Sequence, residues 1–161
     1  MDTDYQFLID KALRLLSFRP RAKKEIFTKL QQSAVKKGIA PKLVDKVIFD
    51  LEEKKLIDDK EFIIWWINQR ETFRPKGQRL IKMELRGKGV DGKTIEEVFE
   101  KNYRSPSYEY ELALTIAQKR YQRLSRFPIE EKKTKLAAFL GRRGFGWETI
   151  YEVIDTIIKK E

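Results

Sequence analysis

The side chains of this sequence best suited to chemistry are its arginines and lysines. They number 35 against 25 Asp and Glu, which gives a net charge of +10. Guanidinium and ammonium groups in such excess attract polyanions or acidic protein surfaces. Solubility alone is the plainer explanation of the same charge. We interpret the excess as a binding surface, because the cations recur in equivalent helices along the chain.

Residue types exclude the common kinds of catalysis. The sequence has no His and no Cys, so the usual catalytic triads, thiol nucleophiles, disulfides and thiolate zinc sites cannot form. It also has no glycine-rich phosphate loop. Asp58 and Asp59 could be read as a metal or acid/base site, but Asp58 lies three residues before Glu61, the spacing of a helix cap. We predict no enzymatic activity, no cofactor and no metal site.

The basic side chains lie on predicted helices that have one apolar face. Residues 73–90 hold six Lys and Arg against one Glu, whereas residues 91–100 hold four acidic residues against one Lys. At about 100° per residue, four cations share one arc of a helix near residues 76–88, and its apolar residues lie roughly opposite. The four cations are Lys76, Arg79, Lys82 and Arg86.

This arrangement occurs three times along the chain. In each copy a proline precedes the basic helix, and a glycine followed by an apolar residue comes after it. Further apolar residues lie five and eight positions after that first apolar residue. The glycines, Gly38, Gly89 and Gly144, are 51 and 55 residues apart, a period typical of helical repeats. Gly38 is predicted to end its helix in the left-handed conformation. The first copy contains an additional helical turn before its glycine.

We therefore predict an all-α protein with nine main helices. They form three tandem three-helix repeats at residues 1–57, 58–104 and 105–161, which stack into an elongated, curved rod. Equivalent basic helices would then make one track suited to an elongated polyanion or filament. The N-terminus does not resemble a signal peptide, and the longest apolar run is far shorter than the roughly 20 residues that cross a bilayer. We expect a cytoplasmic protein.

Trp65 and Trp66 admit two interpretations. Their rings could stack on nucleic-acid bases. With Phe62, however, they follow helical spacing, and an aromatic stripe at that spacing more often packs inside the protein. We predict that they pack.

The predicted binding residues are cations of the basic helices and their flanks in all three repeats. They are Arg14, Arg19, Arg21, Lys24, Arg74, Lys76, Arg79, Lys82, Arg86, Lys88, Arg120, Arg123, Arg142 and Arg143. A single basic helix face is most often only solvated. Three such faces in register with a repeat favour a binding surface.

The order and spacing of several short segments resemble the RecX family of recombination regulators over nearly the whole chain. The segments are Ala12-Leu13-Arg14-Leu15-Leu16 with Arg19-Pro20, Leu56-Ile57-Asp58-Asp59 with Phe62, and Gly77, Leu80-Ile81, Glu84-Leu85 and Lys88-Gly89-Val90. The resemblance implies three tandem three-helix units in a curved rod. It also implies that the protein binds the RecA recombinase in the groove of its filament on DNA. There it would restrain recombination by blocking extension, promoting disassembly, or lowering ATPase and strand-exchange activity.

The resemblance further implies a role in homologous recombination, DNA repair and the SOS response. Its partners would be the RecA filament and single- or double-stranded DNA, and the protein would act as a monomer away from membranes. A sequence-tolerant DNA-binding protein made of helix-turn-helix-like repeats is the main alternative, although a Myb-type array would carry regularly spaced Trp and the first repeat has none. A pure scaffold is a further alternative.

Overall fold

The structure, a computed structural model, describes residues 2–103 and 106–160. Over these ranges it contains nine α-helices and no β-strand. The helices are α1 (Thr3–Phe18), α2 (Lys23–Lys37), α3 (Pro41–Glu53), α4 (Asp59–Phe73), α5 (Gln78–Gly87), α6 (Gly92–Tyr103), α7 (Pro106–Gln122), α8 (Ile129–Arg142) and α9 (Trp147–Lys159). The prediction of an all-α fold is confirmed.

The three repeat glycines end α2, α5 and α8 in the same way. Their φ angles are 70°, 88° and 91° for Gly38, Gly89 and Gly144, in the left-handed region that side chains disfavour. In each repeat the residue after the glycine donates its backbone N–H to the carbonyl five positions earlier, as in a Schellman motif. These bonds are Ile39 to Ala34 at 2.8 Å, Val90 to Leu85 at 3.1 Å and Phe145 to Leu140 at 3.2 Å.

The third helix of each repeat buries the apolar residues that the spacing predicts. The six residues are Val44, Val47, Ile95, Val98, Ile150 and Val153, and all are buried. Burying an aliphatic side chain of this size contributes about 1.5 to 3 kcal/mol. The additional turn of the first repeat is also confirmed, since α2 has 15 residues and α5 has 10.

The chain divides into two compact units. Unit 1 contains the described residues up to Trp66 together with Leu85–Val98, and its core includes Leu8, Ile26 and Leu51. Unit 2 contains Ile67–Glu84 and the described residues from Phe99 onward. Its core includes Ala117, Leu136, Leu140 and Ile150.

The second repeat contributes residues to both units. The boundaries at 57/58 and 104/105 stay predictions, and the second of them lies outside the described residues. The elongated shape also stays a prediction.

Candidate functional site

The central basic helix, α5, presents its cations less freely than the helical wheel indicates. Arg86 is exposed and makes no ion pair within the described ranges. Arg79 is also exposed, but its Nη2 donates a hydrogen bond to the backbone carbonyl of Gly141 at 3.1 Å. Lys82 is half-buried, with Nζ 5.0 Å from the ring centroid of Phe99. Of these three side chains, Arg86 alone makes no hydrogen bond, ion pair or ring contact among the described residues.

Different effects on stability should follow from charge reversal at these positions. Arg86→Glu should change the free energy of unfolding by less than about 0.5 kcal/mol, as expected for an exposed site without contacts. Arg79→Glu should lower it by about 1 to 2 kcal/mol, because the Gly141 carbonyl loses its donor and faces an anion instead. Urea unfolding followed by circular dichroism measures both. Equal losses would show that the Arg79 hydrogen bond contributes nothing.

Lys76 is neutralised inside unit 2. It precedes α5 and forms an ion pair with Glu84, which also accepts a hydrogen bond from Arg70 Nε at 2.8 Å. The Lys76 side chain is only 19% exposed. The pair holds the segment before α5 against the C-terminal half of that helix, where Arg70 of α4 also binds Glu84, so Lys76 contributes to the fold of this unit more than to a basic surface.

Several cations of unit 1 are likewise committed to internal contacts. Arg19 donates two hydrogen bonds to Glu25, from Nη1 at 3.3 Å and Nη2 at 2.7 Å. Lys88 Nζ lies 3.6 Å from the same carboxylate, and Arg21 Nε donates to the Leu15 carbonyl at 3.1 Å. Glu25 also caps α2, since it accepts the backbone N–H of Ala22 at 3.0 Å.

Burial alone would raise the pKa of Glu25. The hydrogen bonds from Arg19 and Ala22 and the charges of Arg19 and Lys88 outweigh that effect, and the pKa falls below its ordinary value. Three predicted site cations of this unit are exposed, Arg14, Lys24 and Arg86. Lys24 Nζ is 5.3 Å from the Phe27 ring.

In unit 2, arginines from distant parts of the sequence converge. Arg120, on α7, and Arg143, after α8, lie 5.0 and 4.9 Å from the ring centroid of Phe139. Arg143 Nη1 donates to the Pro75 carbonyl at 3.1 Å, and burial, then the charges of Arg74 and Arg120, lower the pKa of Arg143. We call Arg74, Arg120 and Arg143 the arginine cluster. No described residue supplies it with an acidic partner.

The arginine cluster depends on a close backbone approach that the sequence does not reveal. The N–H of Gly77 donates to the Arg143 carbonyl at 2.6 Å. A Cβ at Gly77 would collide with the backbone of Gly144, and a Cβ at Gly144 would collide with Leu80. The α8–α9 turn therefore lies directly against the start of α5 and brings Arg143 to the carbonyl of Pro75.

The remaining predicted cations, Arg123 and Arg142, are exposed without an ion pair in the part of the chain that the structure describes. Sequence reasoning named every arginine of the cluster, but it did not identify Phe139 or the exposed Phe73. The sequence does contain a signal that points to Phe73. The Phe-Arg-Pro motif occurs at residues 18–20 and 73–75, and both of its phenylalanines are exposed, at 75% and 71%.

The two tryptophans pack as predicted. Both are half-buried, and their ring centroids lie 6.1 and 5.8 Å from that of buried Phe62. The Arg19 guanidinium lies 6.0 Å from the Trp65 ring, and Lys88 Nζ lies 5.4 Å from the Trp66 ring. The rings thus help to hold the unit 1 cations in place.

The acidic pair acts in helix capping. Asp58 Oδ1 accepts the backbone N–H groups of Lys60 at 3.0 Å and Glu61 at 3.4 Å, at the start of α4. Asp59 Oδ1 accepts the N–H of Lys23 at 2.8 Å, at the start of α2, and burial raises the pKa of Asp59. Among the described residues no group of three or more acidic side chains is placed to hold a metal ion. Within those residues, too, no helix has the length and apolar character needed to cross a bilayer.

Comparison with known proteins covers nearly the whole chain. Family models described as the first, second and third three-helix domains of RecX match residues 9–51, 58–98 and 107–154. The protein named Regulatory protein RecX from Chlorobium phaeobacteroides (strain BS1) is 32% identical over 98% of this chain and 98% of its own length. The protein of the same name from Mycolicibacterium smegmatis is 30% identical over 92% of this chain and 78% of its own length.

A solved structure agrees with the fold. The crystal structure of RecX from Lactobacillus salivarius has a TM-score of 0.86 to this chain, at 25% identity, and the match covers 97% of each chain. The described ranges contain nine helices, and the chain matches three domains of three helices each. The prediction of three-helix repeats is therefore confirmed.

Proposed function

Since this chain belongs to the RecX family of regulatory proteins, we propose that it regulates a RecA recombinase by binding in the groove of the RecA–DNA filament. There it limits filament growth, ATP hydrolysis and strand exchange. Similarity to RecX over the full length of the chain is the observation that carries this proposal. RecX proteins are regulators and not enzymes, so the activity consists of binding.

Cations without internal partners support binding to an anionic filament. The side chains of five predicted site residues are exposed and make no ion pair, hydrogen bond or ring contact among the described residues, and they are distributed over both compact units. They are Arg14, Arg74, Arg86, Arg123 and Arg142. Many weak contacts spread along one chain add through effective concentration, so no single residue has to dominate the affinity. Preference for one filament state then shifts the filament toward that state.

The partners in this proposal are the RecA filament and the DNA that it encloses. The chain acts as a monomer in the cytoplasm, where a recombinase filament forms. An exposed cation contributes mainly by contact with phosphate or acidic side chains, and released counterions make such binding depend on salt. Protein contacts to the recombinase supply the remainder.

The proposal is tested with a charge-reversal variant in which Arg14, Arg86 and Arg123 are all replaced by Glu. It should lose at least about tenfold in its inhibition of DNA-dependent ATP hydrolysis by a matched RecA, since three cations contributing about 0.5 kcal/mol each amount to that factor. A control variant with Lys42, Lys93 and Lys101 replaced by Glu makes the same change in net charge at exposed positions outside the predicted site. It should inhibit like the unaltered chain. Equal losses in the two variants would contradict the assignment of these arginines.

A salt titration then separates regulation from plain DNA binding. Affinity for bare DNA should fall steeply with salt, whereas inhibition of the recombinase should persist at salt concentrations that abolish bare-DNA binding. Both quantities are measured with one preparation of the chain. Equal affinities and equal salt slopes for bare and recombinase-coated DNA would favour the sequence-tolerant DNA-binding protein instead.

A further inference from the structure

The arginine cluster of unit 2 is an accumulation of like charge that the fold leaves uncompensated. Its three guanidinium groups have no acidic partner among the residues that the structure describes. In unit 1 the equivalent arginine of the Phe-Arg-Pro motif, Arg19, forms a bidentate pair with Glu25. The position five residues after the motif proline holds Glu25 in the first repeat and Leu80 in the second. Arg74 therefore lacks the carboxylate that Arg19 uses.

Internal contacts hold most of the cluster in fixed positions. The Pro75 carbonyl accepts a hydrogen bond from Arg143. The guanidinium groups of Arg120 and Arg143 lie 5.0 and 4.9 Å from the ring centroid of Phe139. A guanidinium held in this way loses less conformational entropy when it binds an anion than a free side chain does.

Burial and like charge oppose this arrangement. Burial, and then the like charges of Arg74 and Arg120, lower the pKa of Arg143, as expected where cations lie close together. An anion seated among the arginines would remove that repulsion. Guanidinium groups present paired N–H donors that fit the oxygens of a phosphate, and a cluster made only of arginine favours such recognition.

An exposed aromatic residue comes directly before the first arginine of the cluster in the sequence. Phe73 precedes Arg74 directly and is 71% exposed. Exposed rings next to cations are typical of single-strand binding, since a base can stack on the ring while the cations contact its phosphates. In a duplex the bases are already stacked and cannot use such a ring.

We propose that the arginine cluster and Phe73 form a binding site for the sugar-phosphate backbone and an unpaired base of single-stranded nucleic acid. This inference deepens the proposed function, on which it rests for the presence of DNA beside the chain, and it assigns the DNA contact to unit 2. The cations of unit 1 that pair with Glu25 do not take part. Phosphate binding by the cluster can be measured without any recombinase.

The first experiment measures binding of a fluorescent oligothymidylate by anisotropy at low salt. The test variant replaces Arg74 and Arg120 by Gln, and the matched control replaces Lys93 and Lys101, which are exposed and outside the cluster, by Gln. The test variant should bind at least about tenfold more weakly than the control. Its plot of log affinity against log salt should be shallower by about 1.4, the value for two lost phosphate contacts on a single strand. Equal affinities in the two variants would overturn the site, because general charge would then explain binding.

A charge-conserving variant checks the geometry and guards against misfolding. Replacing Arg74 and Arg120 by Lys keeps the net charge but removes the paired donors, and it should restore only part of the lost affinity. Thermal unfolding of each variant shows whether the fold is intact. If the lysine variant binds fully, the cluster acts as point charges only, and the proposed phosphate recognition is wrong.

A second pair of variants, one test and one control, examines the role of the Phe73 ring. Phe73→Ala should weaken oligothymidylate binding severalfold and leave binding to a duplex of equal length unchanged. Phe18→Ala removes an equally exposed ring whose neighbouring arginine is paired, and it should change neither. Equal effects of the two variants would remove Phe73 from the site. Tighter binding of polyglutamate than of oligothymidylate would instead assign the cluster to an acidic protein segment.

Recombinase inhibition measured on the same variants separates this inference from the proposed function. If the Arg74 and Arg120 variant binds oligothymidylate normally, the site is wrong, and inhibition by the unaltered chain still supports the regulator. If the unaltered chain does not inhibit a matched recombinase, the proposed function fails, while weakened oligothymidylate binding by the variant would still establish the site.

Discussion

Replacing Gly144 by Ala is expected to lower the free energy of unfolding by about 3 kcal/mol, twice the cost of the same change at Gly38. Both glycines have left-handed φ angles, 91° and 70°, where a Cβ costs about 1 to 2 kcal/mol. Only at Gly144 would the new Cβ also collide with Leu80, and such overpacking costs about 1 to 3 kcal/mol more. Nothing lies within 4 Å of a Cβ built at Gly38.

Urea unfolding of the two variants measures this difference directly. Because Gly144 follows Arg143, whose carbonyl accepts the N–H of Gly77, the alanine should also disturb the arginine cluster and weaken oligothymidylate binding. Gly38→Ala serves as the control for the backbone effect alone, since Gly38 lies in unit 1. Identical losses of stability would mean that unit 2 relaxes around the added methyl group at no cost.

Replacing Glu25 by Gln should lower the free energy of unfolding by about 1.5 to 3 kcal/mol near neutral pH, the usual contribution of hydrogen bonds to a charged group. The Glu25 side chain is 17% exposed and binds Arg19, Lys88 and the N–H of Ala22. Glutamine keeps the shape but removes the charge that holds both cations. As a control, Glu130→Gln affects a side chain that is 81% exposed and should cost less than about 0.5 kcal/mol.

The cost of the Glu25→Gln substitution should depend on pH in a defined direction. Burial raises the pKa of Glu25, but Arg19, Ala22 and Lys88 lower it by more, so the folded value lies below the ordinary 4.5. A carboxyl group of this kind stabilises the fold above its unfolded pKa and loses that contribution as pH falls through the folded value. The difference between the unaltered chain and the variant should therefore be greatest above pH 4.5 and shrink below it. A difference that stays constant from pH 7 to about pH 2 would contradict the role of charge at Glu25.

Local rules account for the parts of the fold that were predicted correctly. A glycine after a basic helix predicts a left-handed helix end from backbone sterics alone, and Gly38, Gly89 and Gly144 all adopt it. Asp58 caps α4 for the same local reason. Helix bounds followed from apolar spacing, which reports the buried face of each helix wherever it packs. The helix predicted near residues 76–88 is Gln78–Gly87.

Local rules did not decide which cations remain available. The helical wheel treats every residue on the polar arc as solvated, yet Lys76 pairs with Glu84, and Arg79 reaches a carbonyl 62 residues away. One difference could have been found in the sequence, because Glu25 and Leu80 occupy equivalent places after their prolines. This difference between Glu25 and Leu80 predicts that Arg19 is neutralised and that Arg74 is not.

The amino-acid sequence by itself determined the helices, the repeat, the buried stripe of each third helix and the family, because these depend on spacing within about one repeat of the chain. Tertiary structure alone decided which arginines lie close together. Arg74, Arg120 and Arg143 are far apart in sequence, and they meet because the Gly77 N–H bonds to the Arg143 carbonyl and the Gly144 turn has no side chain to keep Leu80 away. A cation is neutralised only if packing brings an acidic side chain or a carbonyl from elsewhere in the sequence close to it. Helical periodicity contains no information about such distances between separate helices.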